Sequence, residues 1–154
     1  MGLNISAYSN IRFLHNNIGD SKGAYLYVNE HFKDRADGLV DGYYDFDEEY
    51  YFRAGSYSGH SKCRELAAKA LGFTVIEEYW DECTPETPLY DLLNFSDCEG
   101  TIGPLCAKRL YESITKHKTR ILERVGENQY FLGWLEDFQR AAKLAMQNGA
   151  ISFS

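Results

Sequence analysis

Two stretches of the chain hold residue types that could do chemistry. The first is Arg53-Ala-Gly-Ser-Tyr-Ser-Gly-His-Ser-Lys-Cys-Arg64, which joins an aromatic strand pattern (Tyr50, Tyr51, Phe52) to a helical one (Leu66, Ala67, Ala70, Leu71). A strand end, a Gly/Ser turn and a helix start leave several backbone N–H groups unpaired, and such groups can hold an anion or a polar ligand. Arg53, Ser56, Tyr57, Ser58, His60 and Arg64 would stand around that opening. Arginine supplies charge and a planar donor fork for phosphate, and Tyr57 offers a ring for base stacking. The second stretch, Asn94-Phe-Ser-Asp-Cys-Glu-Gly-Thr101, places Asp97, Cys98 and Glu99 side by side. A carboxylate pair can hold a hard cation, and a cysteine beside a base can attack. Both stretches precede helical patterns, so their open N–H groups could face one cleft with Asp97 and Glu99 at its rim.

Neither stretch completes a known catalytic motif. Residues 55–61 lack the glycine spacing of a dinucleotide fold and the Gly-Lys-Ser/Thr of a phosphate loop. Gly55-Ser-Tyr-Ser-Gly59 is near the Gly-x-Ser-x-Gly elbow, but Tyr57 occupies the nucleophile position. The plain reading of the first stretch is a turn with a helix cap from Ser58 or Ser61. That of the second is a turn headed by Ser96 or Asp97, with Glu99 solvated. Cys98, Cys106 and His117 lack the close pairing of a structural zinc site, so no metal and no cofactor is expected. His117 falls on an apolar helix face and reads as a core histidine. An enzymatic alternative, a small hydrolase or transferase, would use His60 as base, Asp97 or Glu99 as acid or metal ligand, and Cys98 as nucleophile. It needs the fold to bring these groups within about 3 Å of a shared atom.

The elements that must position these residues predict a single α+β domain over 1–154. Residues 3–8 alternate as a half-buried strand, and 11–14 continue it or pair back on it. Asn16 to Gly23 is dense in turn formers. Residues 24–32 read as a second strand, with Leu26 and Val28 on one face. Residues 34–49 carry seven acids and one base and read as an exposed loop or hairpin tip. A strand at 50–54 leads into the Gly/Ser turn, and a helix over about 60–71 ends at Gly72. Phe73-Thr-Val-Ile76 reads as a short strand. Two long helices follow, over about 104–124 behind Pro104 and over about 127–147. Their apolar stripes are wide and aromatic, which predicts an antiparallel pair packed on one face of a mainly antiparallel sheet. Ala150–Phe153 would add a strand to the sheet edge.

The composition is that of a globular chain: 154 residues, 44% hydrophobic and 25% charged. The net charge of −7 disfavours generic nucleic-acid binding. The balance is −10 over residues 1–103 and +3 over 104–154. Such poles could steer self-association into a homo-oligomer or attract each other inside one fold. No apolar run approaches the roughly 20 residues needed to cross a membrane. With no export signal at the start, the four cysteines are expected as free thiols in a reducing cytoplasm. The acidic, tyrosine-rich segment offers Tyr43, Tyr44, Asp45, Asp47 and Tyr50 as a partner-binding surface, because tyrosines give large contact area at low entropy cost.

Three segments together carry a resemblance: Met1-Gly-Leu-Asn-Ile-Ser-Ala-Tyr8, Phe52-Arg-Ala-Gly-Ser-Tyr-Ser-Gly59 and Asn94-Phe-Ser-Asp-Cys-Glu-Gly-Thr-Ile-Gly103. They resemble small proteins of bacteriophages and prophages that often begin Met-Gly-Leu-Asp-Ile, where this chain has Asn4. In those proteins an aromatic residue and a Trp-Arg pair often follow the central motif. The corresponding places here are His60 and Cys63-Arg64. The resemblance implies context rather than chemistry: a phage-encoded binding protein in the bacterial host cytoplasm. An anti-defence role would follow by association, through a host protein or a small anionic, nucleotide-like ligand.

Overall fold

The computed structural model describes residues 2–17 and 22–154. Positions 18–21 of the turn-former run lie outside the described residues. The fold is α+β, with antiparallel sheets and the two long C-terminal helices packed together. Four strands, β1 (Gly2–Tyr8), β5 (Glu49–Ser56), β6 (Gly100–Ile102) and β7 (Ala150–Phe153), form the main sheet in the order β5-β1-β7-β6. Every pairing in it is antiparallel. The C-terminal strand therefore sits inside the sheet, between β1 and β6, and not at its edge. Ala150, Ile151 and Phe153 are buried, and burial on both faces suits an inner strand better than an edge.

Among the described residues, helices pack on this sheet through the first, fourth and fifth of five, and the two short ones pack on the first and fourth. They are α1 (Tyr57–Ala70), α2 (Ile76–Glu82), α3 (Tyr90–Leu93), α4 (Pro104–Val125) and α5 (Gln129–Ala145). In α5, Phe131, Trp134, Leu135, Phe138, Ala142 and Ala145 recur at three- and four-residue spacing and are all buried. This face lies on β1, β5 and β7. Large apolar side chains contribute about 1.5–3 kcal/mol each on full burial, so this stripe is a main source of stability. Asn128 caps α5 by accepting from the Phe131 N–H at 3.0 Å. Between α4 and α5, Lys118 pairs with Glu136 at 2.8 Å and Thr115 accepts from Gln139 at 3.1 Å. One number rises as the other falls, the signature of an antiparallel pair. His117 on α4 is only half-buried and lies 3.0 Å from Arg120. It is not a core histidine, and burial followed by Arg120 and Lys116 lowers its pKa.

The acidic segment is more ordered than an exposed loop. The expected strand at 24–32 stops early, as β3 (Ala24–Leu26), and a kinked 3₁₀ segment follows over Glu30–Ala36. Asn29 starts it by accepting from the His31 N–H at 3.0 Å. The segment β4 (Gly42–Asp45) is the middle strand of a second, three-stranded sheet in the order β2-β4-β3, with β2 spanning Arg12–His15. The inner face of this sheet packs Tyr44 and Leu26 against Tyr8 and Ala150, a small second core. The Phe73–Ile76 run also differs from expectation. Val75 is extended, but Glu77 and Glu78 favour the positive end of a helix, and α2 starts at Ile76. The Glu78 carboxylate accepts from the Thr74 N–H and that of Glu65 from the Ile76 N–H, at 3.2 and 3.3 Å.

Candidate functional site

The candidate site is an open cleft of about 670 Å³, within the usual size of small-molecule sites. One wall is the segment from Tyr27 to Phe32. The other is the loop 94–99, and Arg64 of α1 and Trp80 of α2 complete the lining. Two hydrogen bonds tie the walls together. Asn29 Nδ2 donates to the Glu99 carbonyl at 3.0 Å, and Thr101 Oγ1 donates to the Tyr27 carbonyl at 2.7 Å. Ser96 heads the loop turn, accepting from the N–H groups of Cys98 and Glu99 at 3.3 and 3.1 Å. The residues that follow it, Asp97, Cys98 and Glu99, are exposed.

Arg64 gives the cleft its chemistry. The residue is 5% exposed. Its Nη2 donates to the carbonyls of Leu93 and Phe95. Trp80 Nε1 shares the Leu93 carbonyl at 2.7 Å, and the guanidinium lies 5.6 Å from the Trp80 ring centroid. Nε is buried and has no acceptor. Among the described residues no carboxylate comes within ion-pairing distance of Arg64, although Asp97 is near enough to favour its charge. Burial lowers its pKa, yet arginine stays protonated in proteins. A buried cation without a counter-ion is costly and is compensated when an anion binds.

The remaining residues of the first stretch lie elsewhere. Arg53, Ser56, Tyr57, Ser58 and His60 do not line the cleft. Ser56, not Ser58 or Ser61, caps α1, its Oγ accepting from the Gly59 N–H at 3.0 Å. Tyr130 of α5 covers the turn: a Cβ on Gly55 (φ +103°) would stand 1.9 Å from its hydroxyl, and one on Gly59 2.7 Å. The glycines therefore admit a side chain of the protein itself. Arg53 is exposed and borders a smaller hollow with Tyr130 and Asp137. His60 is fully buried, and its Nδ1 accepts from Trp134 Nε1–H at 3.0 Å. Burial, reinforced by Arg64, pushes its pKa down to about 3, so it is neutral. The expected cleft thus divides: Arg64, Asp97 and Glu99 meet, while His60 is sealed in the core and cannot reach a substrate at Asp97 or Glu99. Asn29, His31 and Trp80 of the cleft went unnoticed in the sequence; only the Asn29 cap signal could have drawn attention to that wall.

The tyrosine-rich surface also divides. Tyr44 is buried, and its hydroxyl donates to the Val40 carbonyl at 2.8 Å. Tyr50 donates to Asp137 at 2.6 Å and lies under the Arg140 guanidinium. Asp45 and Asp47 are exposed and share Arg12, each at 3.1 Å. The Tyr43 ring meets that of Tyr25 edge-on and lies tilted beside His15 across the second sheet. The four cysteines are free thiols. Burial raises Cys63 to about 11 and Cys106 to about 12. Among the described residues, no group of three His, Cys, Asp or Glu side chains could hold a metal ion, and no helix is long and apolar enough to cross a membrane.

The fold and cleft define an α+β protein with one buried cation at its main opening. Comparisons of the chain with protein-family models, curated proteins and solved structures return no match.

Proposed function

We propose that this chain is a non-enzymatic binding protein whose cleft takes a nucleotide-like anionic ligand. The observation that carries this reading is Arg64, a buried guanidinium on the cleft lining with an unpartnered Nε and no ion-paired carboxylate. A guanidinium carries five N–H donors, and the two carbonyls bonded at Nη2 leave donor capacity over for a ligand acceptor at the lining. Exposed rings of Tyr27 and Trp80 at the same opening support a planar group beside the anion. The third segment that carries the phage resemblance forms one wall of the cleft, and Arg64, at the place of the Trp-Arg pair in those phage proteins, lies on its lining. We therefore read the protein as phage-encoded and acting in the host cytoplasm, with sequestration of a nucleotide signal as the anti-defence role.

A host protein as partner is the second reading. It is favoured by the exposed aromatic side of the second sheet, where Tyr25 and Tyr43 lie 5.0 Å apart.

Titration calorimetry against a nucleotide panel tests the first reading. Heat of binding is expected with the wild type and with Arg53→Ala, and not with Arg64→Gln. Absence of heat with every nucleotide removes the ligand reading and leaves the protein partner.

A further inference from the structure

The charge inventory of the cleft narrows the ligand. We infer that the preferred ligand is a guanine nucleotide whose phosphate bears a single negative charge, as in a phosphodiester. This rests on the reading of the cleft as a nucleotide site.

Among the described residues, Arg64 is the one arginine or lysine on the lining, against three carboxylates: Glu30, Asp97 and Glu99. All three are exposed, and none has an ion-pair partner among the described residues. Asp97 already offsets part of the Arg64 charge. A triphosphate would bring several charges past these acids to a single cation, and like charges repel without compensation. One phosphodiester charge matches one guanidinium.

The same carboxylates select the base. An ionised carboxylate only accepts hydrogen bonds. Guanine presents two adjacent donors on one edge, N1–H and N2–H, which fit the two oxygens of one carboxylate. Adenine presents an N6–H donor beside the N1 acceptor, and that acceptor faces the second oxygen unfavourably. The hydrogen bond from Asn29 to the Glu99 carbonyl places Glu99 beside the wall that carries Glu30. Those two acids are the candidates for the base edge, and Asp97 lies nearer the cation. Failure to satisfy a polar edge is a strong source of discrimination between ligands of similar shape.

The experiment is calorimetry with guanosine 3′,5′-cyclic monophosphate, its adenosine counterpart and GTP, on wild type and on Glu30→Gln/Glu99→Gln. Both substituted residues are exposed, so the variant keeps the fold. The guanosine phosphodiester is expected to bind at least about tenfold more tightly than either competitor. The double variant is expected to lose most of the guanine preference, because an amide presents a donor to the adenine N1. Ligand protection of exposed Cys98 against alkylation gives an independent readout at the same cleft. Equal binding of the two cyclic nucleotides, or tightest binding of GTP, overturns this inference and leaves the wider nucleotide reading in place. Absence of binding and of Cys98 protection with all three ligands overturns both.

Discussion

His60 and Arg64 stand one turn apart on α1, both buried, and each leaves one buried nitrogen without a hydrogen-bond partner. Their surroundings are opposite. His60 sits among the rings of Trp134 and Phe138, accepts one hydrogen bond and is neutral. Arg64 sits where helix, loop and open cleft meet, and it keeps its charge, hydrogen-bonded to carbonyls beside the Trp80 ring with Asp97 near but not paired. The difference teaches that burial alone does not mark a site. A histidine can discard its charge when water is removed, and so can serve as a core residue. An arginine cannot, and a cavity beside it makes the uncompensated charge available to a ligand.

The comparison breaks most visibly at the His60 end. Phe138 is fully buried and touches Phe52, His60, Trp134 and Phe153. Phe138→Ala should destabilise the fold by about 3–5 kcal/mol in urea denaturation.

The next effect is one of pH. His60 has a folded pKa of about 3 against an ordinary value of 6.5. Below 6.5 the unfolded chain takes up a proton that the folded chain refuses, so stability is complete above 6.5 and falls progressively toward 3. Between pH 6.5 and 5 this loss approaches about 2 kcal/mol, at about 1.4 kcal/mol per pH unit. Denaturation curves at the two pH values measure it. His60→Gln, which can still accept from Trp134, should flatten that part of the profile.

At the turn above His60, Gly55→Ala strains a positive-φ position and displaces Tyr130. A loss of about 1–3 kcal/mol is expected, read as a lower melting temperature. Ligand binding at the Arg64 cleft should be unchanged. If Gly55→Ala instead abolishes binding, the two ends of α1 are not separate.

Arg64→Met sharpens the contrast from the other side. Methionine keeps the apolar packing of the stem but leaves the Phe95 carbonyl without its donor, so a stability loss of about 1–2 kcal/mol is expected. Binding of the anionic ligand should be lost. The smallest effect is chemical: at pH 8, an alkylating probe should label exposed Cys98 long before Cys63 or Cys106, whose buried thiols hold their protons. Peptide mapping by mass spectrometry reads the order.

Local and periodic features could be read directly from the order of residues. The α5 stripe from Phe131 to Ala145, Pro104 at the head of α4 and the alternation of residues 3–8 were legible because each follows from one repeat or one backbone preference. So was the Ser96 turn, since a serine hydroxyl reaches N–H groups only two and three residues away. Where α1 begins was less legible: three serines compete for the cap, and Tyr130, 75 residues after Gly55, decides how the turn is covered. Residues 73–76 were β-branched enough to suggest a strand, but a helix with acids in its first turn won. Tertiary structure alone decided the site. Arg64 and Asp97 are 33 residues apart, and Asn29 and Glu99 are 70 apart. Nothing in their local patterns says that they share a cleft, because a side chain's solvation depends on what distant segments bring to it. Wherever His60 and Arg64 occur in sequence they are four residues apart; only the packing of α5 over one and the opening of loop 94–99 beside the other makes the first a core residue and the second a binding candidate.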